Sequence, residues 1–246
     1  KDFASTRFSG LDQITSANVA SLKLAWTFST GVLRGHEAAP LVVGSTMYIV
    51  APYPNTLYAL DLSKPGGPTK WKYEPKPVAA AQGVACCDVV NRGAAYADGK
   101  IFYNTLDNQT VAVDAETGQE VWRTRLGDIN NGETMTMAPL VVKGKVLVGN
   151  SGGEFGVRGW LTALDAKTGK LAWRAYHTGP DADVLIDGER WDSPTSGDRL
   201  VVQLPEGEHR IEIRRSGYAT YSTTIRVRRG DTTPLNVSLP RQQEVD

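Results

Sequence analysis

Residues whose types could carry chemistry gather in a few short stretches of this 246-residue chain. Two cysteines stand side by side, Cys86-Cys87, and Asn91-Arg92-Gly93 follows closely. Glu37 lies in Gly35-His36-Glu37-Ala38-Ala39-Pro40, Thr136 precedes Ala138-Pro139, and Ser151-Gly152-Gly153-Glu154 forms a compact polar turn. Thiols, a guanidinium, two carboxylates, two hydroxyls and a glycine pair can together hold an anionic ligand or a hard cation. Taken singly, each has an ordinary reading. The cysteines fill core volume, Arg92 makes a surface ion pair, Glu154 is a solvated carboxylate and Gly152-Gly153 is a hairpin turn. His36, His177 and His209 fall in no zinc or triad pattern, so no second catalytic system is visible.

The elements that must position these residues follow from a repeat. Trp71, Trp122 and Trp173 are spaced 51 residues apart. The same phrase approaches each of them: Ala59-Leu60-Asp61, Ala112-Val113-Asp114-Ala115-Glu116-Thr117-Gly118 and Ala163-Leu164-Asp165-Ala166-Lys167-Thr168-Gly169. Asp-x-x-Thr-Gly is a hairpin turn in which Asp accepts backbone hydrogen bonds and Gly takes a positive φ. The first copy is longer, around Pro65-Gly66-Gly67-Pro68. A second hairpin precedes each, in Ala39–Val43 with Met47–Val50, Gly93–Tyr96 with Lys100–Tyr103, and Ala138–Val142 with Lys145–Val148. Four strands per repeat of about 50 residues predict an all-β chain, opening as a partial β-propeller of about three four-stranded blades. The tryptophans read as structural, each docking on the next unit. The early segment Leu22–Trp26 is expected to be a strand of a further blade.

Three stretches, lying within about Phe8 to Ile186, resemble the quinoprotein methanol and alcohol dehydrogenases that use pyrroloquinoline quinone (PQQ). They are Gly83-Val84-Ala85-Cys86-Cys87-Asp88-Val89-Val90-Asn91-Arg92-Gly93, Gly152-Gly153-Glu154-Phe155-Gly156-Val157-Arg158-Gly159 and Trp173-Arg174-Ala175-Tyr176-His177-Thr178-Gly179-Pro180-Asp181. The resemblance implies an eight-bladed parent fold and a vicinal disulfide Cys86–Cys87 lying flat against the quinone, persisting in an oxidising compartment. PQQ carries three carboxylates and an ortho-quinone, so its pocket needs donors, a flat floor and a cation. The resemblance assigns cofactor contacts to Glu37, Cys86, Cys87, Arg92, Thr136, Ser151, Gly152 and Gly153, with Arg92 meeting a PQQ carboxylate bidentately. It assigns Glu154 to a metal, calcium or a lanthanide. No residue here matches the family's stacking tryptophan, its second metal-shell side chain or the aspartate that acts as general base. The implied quinone and metal site is therefore a half-site with no catalytic residue, and PQQ-dependent alcohol dehydrogenase activity is left open. Open blade faces call for self-association or a protein partner.

Beyond about residue 182 the composition shifts. All 11 lysines lie between Lys1 and Lys170, and arginine carries the positive charge afterwards. Short strands are expected at Val184–Gly188, Arg199–Leu204, His209–Ile213, Thr224–Val227 and Leu235–Leu239, forming a small β-sandwich. Ile186-Asp187-Gly188, Pro205-Glu206-Gly207-Glu208-His209, Gly217-Tyr218 and Gly230 resemble the PEGA domain of bacterial cell-envelope proteins, with Glu208 in place of the named alanine. The expected division is 1–181, 182–240 and a tail 241–246. Asp183–Ile186 fits both families, so a natural fusion and a truncated gene both remain open as the history of the join. Arg226, Arg228 and Arg229 read as a charge-guarded strand edge or as a surface for an acidic envelope glycan.

The 27 basic and 27 acidic residues balance, which argues against a nucleic-acid partner. No apolar run nears the roughly 20 residues of a membrane span, and no secretion signal stands at Lys1-Asp2-Phe3. The resemblances imply a periplasmic or cell-envelope location. Two function classes follow. One is a PQQ-dehydrogenase-like half-site; the other is a noncatalytic envelope interaction or scaffold protein.

Overall fold

The computed structural model describes residues 10–85, 88–177, 182–191, 200, 202–215 and 217–240. Cys86 and Cys87 lie outside the described residues. Among the described residues, sixteen strands form four four-stranded antiparallel sheets, with hardly any helix.

The first three sheets are the expected blades, each an up-and-down meander. Blade 1 holds β1 (Leu41–Val43), β2 (Thr46–Val50), β3 (Leu57–Asp61) and β4 (Thr69–Tyr73). Blade 2 holds β5 (Ala95–Ala97), β6 (Lys100–Thr105), β7 (Gln109–Asp114) and β8 (Glu120–Arg125). Blade 3 holds β9 (Leu140–Val142), β10 (Lys145–Gly149), β11 (Trp160–Asp165) and β12 (Leu171–Tyr176). The registers repeat as well: Ala59 faces Trp71, Ala112 faces Trp122 and Ala163 faces Trp173, each followed by a one-residue shift. First strands of successive blades adjoin, β1 beside β5 and β5 beside β9, so the blades fan out from a shared inner edge.

Apolar side chains from facing blades fill the space between them, burial being the main favourable term. Tyr48, Val50, Leu57 and Ala59 of blade 1 pack with Ile101, Tyr103, Val111 and Val113 of blade 2. Phe102, Ala112 and Trp122 pack with Val146, Val148, Trp160 and Leu164. The turn glycines set how closely blades approach. A Cβ at Gly118 would lie 2.7 Å from the Trp71 ring, and one at Gly169 would lie 2.6 Å from the Trp122 ring. Both glycines have positive φ, 74° and 69°, a backbone that glycine adopts without steric cost. Their turns are braced as expected, Asp114 accepting from the amides of Glu116 and Thr117, and Asp165 from those of Lys167 and Thr168.

The segment Leu22–Trp26 forms no strand and joins no sheet among the described residues. Trp26 nevertheless behaves as a blade tryptophan, its ring 3.0 Å from where a Cβ of Gly67 would stand.

The fourth sheet contains β13 (Asp183–Ile186), β14 (Glu189–Trp191), β15 (Gly207–Arg214) and β16 (Tyr221–Val227), in the order β14-β13-β15-β16. Three of its strands answer to the expected ones. The fourth, β14, was not expected and arises from the Asp187-Gly188 turn, where both residues take positive φ. Leu200, Val202–Leu204 and Leu235–Leu239 make no ladder pairs among the described residues. Instead Leu204 and Pro205 join Ile186, Trp191 and His209 around one cleft, a side-chain role that period-2 apolar alternation does not separate from strand pairing. The buried His209 ring makes contacts through both nitrogens, Nδ1 to Asp187 Oδ2 at 2.7 Å and Nε2 to the Pro205 carbonyl at 2.9 Å. A carbonyl and an ionised carboxylate both only accept, so this arrangement is fully satisfied by the doubly protonated ring, which it favours.

Two outcomes follow from this packing. Gly169→Ala, which pushes a Cβ onto Trp122, should cost at least about 2 kcal/mol in urea unfolding, whereas Gly144→Ala, at positive φ in open space, should cost about 1 kcal/mol. The hydrogen bond to Asp187 raises the His209 pKa, and the bond to His209 lowers that of Asp187. The clasp therefore contributes fully between about pH 4 and 6.5, the ordinary carboxylate and imidazole values; it is lost as pH rises through the folded His209 pKa or falls through the folded Asp187 pKa. Urea unfolding at pH 6 and pH 9 should show this loss on the alkaline side, and His209→Gln should remove it.

Candidate functional site

Each blade is entered by a short segment leading to its first strand, and these segments meet at the inner edge. Glu37 stands four residues before Leu41, Arg92 three before Ala95 and Thr136 four before Leu140. The fan thus brings three of the sequence-predicted residues together. Arg92 NH1 donates to Thr136 Oγ1 at 2.6 Å, and Arg92 NH2 lies 3.2 Å from Glu37 Oε2. The Arg92 and Glu37 side chains are 50% and 48% exposed, so the cluster is open to solvent on one side. A guanidinium has five N–H donors; contacts to Thr136 and Glu37 leave donors for a further carboxylate.

The backbone beneath Arg92 is fixed from below. Its amide donates to the Thr136 carbonyl at 2.9 Å. Asn91 is buried; it donates to the Asn104 carbonyl at 2.8 Å and accepts from the Gly93 amide at 2.9 Å. Asn104 donates to the Met137 carbonyl and accepts from the Thr110 hydroxyl. Neighbouring approach segments are thereby tied to the end of β6 and β7 by a satisfied polar network, which specifies position as well as stability.

Ser151 and Gly152 lie beside the same loop. Ser151 bridges Thr134 through paired backbone bonds of 2.8 and 3.3 Å. Gly152 has φ 124°, and a Cβ there would stand 2.4 Å from the Gly132 carbonyl oxygen, so the protein's own backbone demands glycine at this position. Gly153 differs: nothing lies within 4 Å of its absent Cβ, which leaves open space on that side. Glu154 sits exposed in the turn Gly153–Phe155. Among the described residues no three His, Cys, Asp or Glu side chains gather as a metal group. One exposed carboxylate does not make a calcium or lanthanide cage, which takes six or more oxygens.

Two residues that position the site were not singled out from sequence. Asn104 is one. Glu133 is the other: it is buried, and its carboxylate accepts from the Trp160 indole at 2.9 Å and the Asp128 amide at 2.8 Å while its carbonyl accepts from Asn108. It thus anchors the 132–136 loop that carries Thr136. An asparagine directly after the run Ile101-Phe102-Tyr103 of a strand, as Asn104 stands in Lys100–Thr105, is the signal that could have found the first; Glu133, in a loop, offers no comparable pattern.

Three stacked four-stranded blades around a shared inner edge, with charged approach segments meeting there, define a β-propeller segment. The PQQ family model, described as the glucose/ethanol/alcohol dehydrogenase beta-propeller domain, matches residues 1–198, and the chain belongs to that family. The PEGA domain model matches residues 179–243, overlapping the first. The chain is 58% identical over 189 residues to the lanthanide-dependent methanol dehydrogenase of Methylacidiphilum fumariolicum (strain SolV), covering 77% of this chain and 31% of that protein. It is 53% identical over 189 residues to the lanthanide-dependent methanol dehydrogenase of Methylorubrum extorquens, with the same coverage. Among solved structures, a europium-containing methanol dehydrogenase superposes with a TM-score of 0.68 at 60% identity, over 70% of this chain and 30% of that one. The chain thus spans about a third of the length of the curated relatives it matches. No helix among the described residues is long and apolar enough to cross a membrane.

Removal of Glu133, by Glu133→Ala, should cost about 2–3 kcal/mol in urea unfolding, since buried donors lose a charged acceptor. Arg92→Ala, which breaks a half-exposed pair, should cost less than about 1 kcal/mol. A larger loss for Arg92→Ala would mean that its role is structural.

Proposed function

We propose that this chain carries a half-site for PQQ, built from the approach segments of three blades. The observation that carries the reading is the Arg92 guanidinium, held between Thr136 and Glu37 with half its surface open. A ligand carboxylate would take the remaining donors of Arg92 and compete with Glu37 for the cation. Ser151, Gly152 and Gly153 form the adjoining wall, with Gly153 leaving room for close approach. Cys86 and Cys87, six and five residues ahead of Arg92, supply the floor as a vicinal disulfide. Bound PQQ supplies an electron-accepting ortho-quinone; this chain's residues bind and orient its carboxylates. Glu154 contributes one oxygen toward calcium or a lanthanide, and the remaining ligands come from elsewhere.

Alcohol oxidation also needs a group to take the hydroxyl proton. Within this sequence no residue answers to the family's aspartate base, so binding rather than turnover is the activity assigned to these residues. Residues 1–181 form the propeller part, 182–240 the PEGA-like module and 241–246 a tail. A periplasmic or cell-envelope setting suits both the disulfide and the PEGA resemblance. The second reading, a noncatalytic envelope scaffold, is favoured by the open face of blade 3, where Trp173 is 44% exposed.

Titration of the oxidised protein with PQQ, followed by cofactor absorbance, should saturate without added Ca²⁺ or La³⁺. Arg92→Ala should weaken binding at least about tenfold, a charge-assisted contact contributing roughly 1.5–3 kcal/mol, and the Cys86→Ser, Cys87→Ser variant should weaken it too. An absence of saturable binding would overturn the half-site and leave the scaffold.

A further inference from the structure

The cleft of the fourth sheet is a concavity that the half-site does not use. It encloses about 300 Å³, the lower end of the range for small-ligand sites. Pairing of β13 with β14 sets Val184 opposite Trp191 and Ile186 opposite Glu189, and strand alternation puts these four side chains on one face of the sheet. β15 adds His209 to that face, two residues before the Ile211 that pairs with Ile186. Leu204 and Pro205 form the remaining wall. That wall is tethered, since His209 Nε2 meets the Pro205 carbonyl at 2.9 Å while Nδ1 meets Asp187 at 2.7 Å. Asp187 is held in turn by the Arg210 amide at 2.8 Å. Arg190 and Asp183, 3.0 Å apart, belong to the opposite face and bring no charge to the cleft.

The charges inside the cleft do not cancel. Asp187 is matched by the doubly protonated His209 ring. Glu189 is not matched: its carboxylate has no hydrogen-bond or ion-pair partner among the described residues. Trp191, half-buried, stands two residues further along the same strand and faces the same way. An indole ring beside an unpaired carboxylate attracts a cation, the ring through its quadrupole and the carboxylate through its charge. Ile186, Leu204 and Pro205 add an apolar lining that suits a methylene chain. A polyhydroxylated ring would leave that lining unused, and an anion would be repelled by Glu189. Residues 182–240 contain no lysine, so no ammonium side chain of the same module competes for the place.

The geometry points to a site for a primary ammonium on an aliphatic stem, of the kind a lysine side chain presents, in the cleft between β14 and the Leu204-Pro205 wall. The ammonium lies between the Trp191 ring and the Glu189 carboxylate, and the methylenes run along the apolar wall. None of these residues is assigned to PQQ, so failure of this site would leave the half-site reading standing, and the reverse also holds.

The test is titration of the full chain with Nα-acetyl-lysine methylamide at pH 6, where the Asp187–His209 clasp is intact. Binding is followed by the NMR resonance of the Trp191 indole N–H, assigned from the spectrum of Trp191→Phe. That resonance should shift saturably, and the same compound acetylated on its side-chain nitrogen, which carries no charge, should leave it in place. Glu189→Gln should weaken binding about three- to fivefold, the loss of one exposed charge contact, whereas Glu189→Asp should retain most of it. The urea midpoint of Glu189→Gln should match that of the unmodified chain, because the carboxylate has no partner to lose, and this separates loss of binding from loss of fold. No saturable shift, an equal response to the acetylated compound, or affinity indifferent to Glu189→Gln would each overturn the proposal. So would a saturable shift with glucose and none with the lysine compound, since the cleft would then be a site for hydroxyl groups.

Discussion

The contact of an indole ring with a turn that has no side chain is the constraint on which the rest of this molecule depends. At 2.6–2.7 Å from a notional Cβ, Trp71 and Trp122 stand where only glycine leaves room. Glycine in turn reverses the chain at positive φ, so one residue both closes the hairpin and admits the neighbouring blade. The spacing between blades, and with it the way their first strands converge on the inner edge, follows from this joint. Hydrophobic burial supplies most of the stabilisation between blades, but apolar packing tolerates sliding; the ring on the glycine fixes the register.

From that geometry the site follows. Glu37, Arg92 and Thr136 lie far apart in sequence and in three separate blades, yet they occupy nearly equivalent places ahead of β1, β5 and β9. Converging first strands bring them within hydrogen-bonding reach. The buried layer beneath, Asn91, Asn104 and Glu133, holds the approach loops through hydrogen bonds, while Arg92 joins Thr136 and Glu37 at the half-exposed surface. A buried polar network thus fixes the loops, and a charged cluster lies open to solvent above it.

Much of this was legible in the sequence because the propeller repeats itself. The tryptophan period, the Asp-x-x-Thr-Gly phrases and the paired hairpins specify local structure that tertiary contacts do not override, and all three blades formed where expected. The fourth sheet was less legible. Leu235–Leu239 alternates like a strand without a ladder partner among the described residues, and the Glu189–Trp191 strand is too short to show a period. The joining of Asp187 to His209 lay hidden for another reason: two motifs twenty-odd residues apart meet only once β13 and β15 pair. Of the residues the resemblance singled out, Glu37, Arg92 and Thr136 come together in the structure, whereas Glu133 acts through a loop with no periodicity to mark it. Gly152 was expected for its turn near the cofactor; the structure adds a backbone reason, its close approach to the Gly132 carbonyl.

The most direct test of the joint is a double-mutant cycle between Trp71→Ala and Gly118→Ala, read by urea unfolding. If the ring rests on the glycine, Gly118→Ala should be costly in the native background and cost only the positive-φ penalty of about 1 kcal/mol once Trp71 is removed, giving a coupling of about 1–2 kcal/mol. Additivity of the two substitutions within about 0.5 kcal/mol would mean that the blades are spaced by something other than this contact.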